Sequence, residues 1–64
     1  MKFQPGDTVR HERGGRYEIV GWGKLESDLS PVYVYRNVAT ASDFLWVRSK
    51  TQMEDGRFEL EAKR

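Results

Sequence analysis

Apolar and polar residues alternate along most of this chain, and no window keeps the three-to-four spacing of an amphipathic helix. Thr8-Val9-Arg10-His11 follows the turn signal Pro5-Gly6-Asp7 and predicts a short strand. Gly14-Gly15 offers the positive φ values of a tight hairpin, leading into the alternating run Arg16-Tyr17-Glu18-Ile19-Val20. Gly21 and Gly23 flank Trp22 and suggest a bulge or a sharp bend at the end of that strand. Lys24 to Pro31 reads as a polar loop with Leu25 and Leu29 as apolar anchors.

Two runs rich in β-branched and aromatic residues follow. They are Val32 to Val38 and Phe44 to Arg48, linked by Ala39 to Asp43. Ser49 to Met53 fits one helical turn, Glu54-Asp55-Gly56 fits a turn, and Arg57 to Glu61 alternates as a last strand. The charges of that strand suit a sheet edge, where they discourage pairing with another chain. Five short strands punctuated by turns predict an all-β domain over residues 1–64: a five-stranded antiparallel SH3-like barrel with one helical turn. An OB-type barrel is the second choice.

Two registers are open for the hairpin of the third and fourth strands. In one, Arg36 lies opposite Trp46. Shifted by one residue, Tyr35 meets Trp46 and Tyr33 meets Arg48. Val32, Val34, Leu45 and Val47 then form an aliphatic core face, and Tyr33, Tyr35, Trp46 and Arg48 form a platform for a ligand. A one-residue slip exchanges the faces, so the register decides the functional reading.

Composition weighs against spending rings on a platform. The chain has 64 residues and no cysteine, so neither disulfides nor a thiolate metal site supports its small core. Most of its eight aromatics are therefore expected inside, with Arg36 or Arg48 stacked on Trp46. On that expectation, Trp46→Ala costs roughly 3–5 kcal/mol. Eleven Lys/Arg against ten Asp/Glu leave a net charge of +1, which fits neither a polyion nor a strongly basic arm. No apolar run reaches the roughly 20 residues of a membrane span. A cytoplasmic setting, no cofactor, and a monomer or weak homodimer are the resulting expectations.

Candidate chemistry is sparse. His11 stands alone among imidazoles, and a structural or barrel-mouth role is preferred to general-base or metal chemistry. Ser27, Ser30, Ser42 and Ser49 lack a nucleophile-elbow context, and the glycines lack the following helix of a phosphate loop. Arg10, Arg13 and Arg16 make the best basic patch, interrupted by Glu12 and Glu18. A non-catalytic module binding a protein or peptide is thus the first functional expectation, and a nucleic-acid-binding accessory protein the alternative.

The ordered segments Gly6 to His11, Tyr17 to Gly21, Val34-Tyr35-Arg36, Leu45-Trp46-Val47-Arg48 and Gly56-Arg57-Phe58 resemble the domain of unknown function 1653 family of small bacterial and phage proteins. That family often has proline after the Leu-Trp-Val-Arg segment, where this chain has Ser49. The resemblance implies a small β-rich domain and no established activity. If the family's signature residues form a site, His11, Tyr35, Arg36, Trp46 and Arg48 are its positions here.

Overall fold

The computed structural model describes residues 1–40 and 43–64, so the middle of the expected 39–43 link lies outside the described residues, Ser42 included. The elements are β1 (Thr8–His11), β2 (Arg16–Lys24), β3 (Pro31–Asn37), β4 (Trp46–Ser49), α1 (Lys50–Met53) and β5 (Phe58–Ala62). They form one antiparallel sheet in the order β4-β3-β2-β1-β5. The all-β, five-stranded architecture with one helical turn matches the sequence pattern.

The sheet is strongly rolled. Tyr35 on β3 and Phe58 on β5 have ring centroids 6.1 Å apart. Those strands stand three positions apart in the sheet, about 14 Å if it were flat. Rolling stops short of closure, because β4 and β5 do not pair. The structure is therefore an open rolled sheet rather than the closed barrel expected.

Glycines shape the bends. β2 runs through Gly21 and Gly23 by means of a register shift between Ile19 and Gly21. Gly14 turns the β1–β2 hairpin at φ 102. Gly6, at φ 95, brings its N–H to the Ile19 carbonyl while the Ile19 N–H donates to the Asp7 carbonyl, both at 2.8 Å. A Cβ at Gly6 would also sit 2.7 Å from the Arg64 side chain.

The β3–β4 register pairs Tyr35 with Trp46 and Tyr33 with Arg48. This is one of the two registers anticipated, but its faces are used the other way round. Tyr33 and Tyr35 point into the concave side, where they join Phe3, Val9, Ile19, Met53 and Phe58. Leu45 and Val47 lie more than half exposed, so they form no core face, although Val32 is buried. The reason is volume: a single rolled sheet has no second layer, and large rings fill its concavity where short aliphatic side chains would leave voids. Leu25 and Leu29, expected as apolar anchors, are exposed and lie outside the core.

Segment 1–7 covers one end of that concavity. The Phe3 N–H donates to the Tyr33 hydroxyl at 3.1 Å, and its carbonyl accepts the Trp22 indole N–H at 2.9 Å. Tyr33 in turn donates to Glu54, whose carboxylate also accepts the Lys2 N–H at 2.9 Å and pairs with Lys50 at 3.0 Å. Burial, and next the bond to Glu54, push the Tyr33 phenol up to about 12. The Lys2 N–H, with Tyr33 and Lys50, brings Glu54 down to about 2. This knot joins the N-terminal segment, β3 and the end of α1.

Candidate ligand-binding site

At the β1–β2 turn end of the sheet, side chains from four segments converge on Phe58. β1 pairs with β5 so that His11 stands opposite Phe58, and their rings meet edge to face at 4.8 Å. Tyr17 and Tyr35 contact the same ring from β2 and β3, each at 6.1 Å. From β4, the Arg48 guanidinium reaches 5.5 Å from the Phe58 centroid, and its Nε donates to the Tyr35 hydroxyl at 3.2 Å. The arginine expected to stack on Trp46 stacks on Phe58 instead. The roll of the sheet brings that ring within reach of β4.

Above this floor lies an open hollow of about 450 Å³ lined by His11, Glu12, Arg13, Arg48 and Arg57. The Arg13 N–H donates to His11 Nδ1 at 3.0 Å, so the neutral imidazole carries its proton on Nε2. Arg57 Nε pairs with Asp55 at 3.0 Å. The Arg13 side chain makes no ion pair among the described residues. A second hollow of about 250 Å³, between Arg10, His11 and Arg57, is bordered by Glu12 and Glu59. Cations thus dominate the first hollow, while carboxylates balance them in the second.

No family model, curated protein or solved structure matches this chain.

The candidate residues divide by face. His11, Tyr35, Trp46 and Arg48 share the concave side, with Tyr35 buried and Trp46 56% exposed. The exposure of Trp46 overturns its expected place in the core, because β4 is an edge strand that pairs with β3 alone. Arg36 does not belong to this group. It lies on the convex side, where it pairs with Glu18 at 2.5 Å beside Leu45. The basic patch also comes apart: Arg10 and Arg16 are cross-strand neighbours on the convex side, Arg16 is tied to Glu61 at 2.5 Å, and only Arg13 reaches the first hollow.

Sequence reading missed Arg57 as a site residue and Phe58 as the floor. Both are placed by the pairing of β1 with β5, a contact between distant parts of the chain that no local spacing announces. Among the described residues, no three His, Asp or Glu side chains group as metal ligands, and no helix is long and apolar enough to cross a membrane.

Proposed function

We propose that this protein is a non-catalytic interaction module that takes an extended peptide segment of a partner protein along the outer edge of β4. One observation carries the reading: Trp46 and Val47, on opposite faces of the terminal strand β4, and Leu45 just before it are 54–56% exposed and uncharged, while the one charge of that strand, Arg48, is drawn over Phe58. An edge of this kind is a template for strand addition, and sequences commonly blunt such edges with charge. β5, the opposite edge, is blunted by Glu59 and Glu61. An added strand gains main-chain hydrogen bonds, and alternate side chains supply specificity. Here Trp46 would meet its concave-side residues, and Val47 with Leu45 its convex-side ones. The resemblance to the domain of unknown function 1653 family fits a cytoplasmic module of bacteria or phages.

Selection of a displayed library of random eight-residue peptides tests this reading. Recovered peptides should share an apolar position and should lose binding to Val47→Lys and Trp46→Ala proteins whose melting is unchanged. Peptides that bind both variants as tightly as the parent would place the site elsewhere.

A nucleic-acid reading draws on the cations of the first hollow. It requires binding of a single-stranded oligonucleotide that weakens steeply and log-linearly with added salt. The carboxylates bordering the second hollow favour the peptide.

A further inference from the structure

The edge strand and the basic hollow share a residue. Arg48 belongs to β4, yet its guanidinium lies across Phe58 at the rim of the hollow formed with His11, Arg13 and Arg57. We infer that the peptide segment carries an anionic side chain two positions before the apolar residue that meets Trp46, and that the hollow holds this anion. The inference rests on strand addition at β4.

The spacing follows from strand geometry. Trp46 and Arg48 are two residues apart on one face, about 7 Å along the strand. Every pairing in this sheet is antiparallel. In an antiparallel addition, the residue facing Arg48 precedes by two the residue facing Trp46. The required pattern is therefore acidic-x-apolar, read from the peptide's N-terminus.

The donors suit one oxyanion. Arg48 commits its Nε to Tyr35 and keeps its two terminal amino groups, Arg13 is without an ion pair among the described residues, and His11 offers Nε2–H. Guanidinium groups match a carboxylate or a phosphate through paired N–H bonds. Charge also limits the length of the anion. Glu12 lines both hollows and Glu59 borders the second, so a continuous phosphate backbone would meet carboxylates one step beyond the first hollow. A single acidic side chain meets none of that repulsion beyond Glu12. The arrangement therefore selects an acidic peptide over a nucleic acid.

Sequencing the library-selected peptides tests the inference, followed by titration of three synthetic versions of the best binder. These carry Glu, phosphoserine or Gln at the position two before the apolar consensus. The Glu and phosphoserine forms should bind about tenfold tighter than the Gln form, the scale of a charge-assisted hydrogen bond. Arg13→Gln and Arg57→Gln should remove that advantage, while Arg10→Gln should preserve it. Equal binding of Glu and Gln forms, with Val47→Lys still abolishing both, overturns the anion subsite and leaves strand addition standing. Absence of any apolar consensus overturns both. Inorganic phosphate should compete only with the charged forms. A uridine oligonucleotide binding more tightly than the Glu peptide would overturn the choice of ligand.

Discussion

The guanidinium of Arg48 lies 5.5 Å from the centre of the Phe58 ring, although their strands form opposite edges of the sheet. In a flat sheet those strands would stand about 19 Å apart. The contact spans, with side chains, the gap that main-chain pairing leaves open. Cation–π contacts of this type contribute about 0.5–2 kcal/mol according to how far they are desolvated. A double-mutant cycle of Arg48→Met with Phe58→Leu should therefore give a coupling energy of about 1 kcal/mol in urea unfolding. A coupling indistinguishable from zero would mean that Arg48 lies over the ring without holding the roll.

Trp46→Ala should change stability by no more than about 1 kcal/mol, because more than half of the residue already faces solvent. Phe58→Ala, at a fully buried position, should cost about 3–5 kcal/mol. Urea midpoints of the two variants measured side by side decide the matter. Equal losses would return Trp46 to the core.

Acid and alkali should act on one knot. Glu54 has its folded pKa lowered from 4.5 to about 2, so its contribution is complete above pH 4.5 and disappears as pH falls towards 2. Tyr33 has its folded pKa raised from 10.0 to about 12, so its contribution is complete below pH 10 and disappears as pH rises towards 12. Thermal melts of Glu54→Gln should show a shallower acid limb than the parent, and Tyr33→Phe a shallower alkaline limb. Parallel profiles for parent and variants would remove Glu54 and Tyr33 as the groups responsible.

Gly6→Ala should destabilise by about 1–2 kcal/mol, the cost of holding a residue with a Cβ at positive φ. Crowding by Arg64 adds to that cost, because its Cγ and Cδ can rotate away but its Cβ, 2.9 Å from the added carbon, moves only with the main chain. Adding Arg64→Gly to Gly6→Ala should consequently restore the crowding part of the loss and leave the backbone part. Full restoration, read from the melting temperature, would make crowding the constraint instead of the backbone.

Local pattern was a good guide to the elements and a poor guide to which side of the sheet curls inward. Thr8–His11 is found with the predicted bounds, Ser49 caps the helical turn through its side chain, and Gly21 lies at the β2 bulge. A period of two tells which residues share a face, yet carries no sign. Tyr33 and Tyr35 went inward because Phe3 and Met53, from outside the sheet, pack on their side. The candidate site was legible in the same uneven way. His11, Tyr35 and Arg48 do gather around one ring, that of Phe58, whereas Arg36 finds Glu18 on the reverse side. Arg57 enters only through β1–β5 pairing, which depends on the whole chain being folded.

The bonds that seat segment 1–7 have a bearing on how the molecule matures. Lys2 reaches Glu54 across a separation of 52 residues, and Phe3 reaches Tyr33 across 30. A ribosome makes Phe3 well before it makes either partner. The emerging N-terminal stretch must therefore wait, its phenylalanine exposed, until the helical turn has cleared the exit tunnel, so the interior is sealed only after nearly all of these residues have been synthesised.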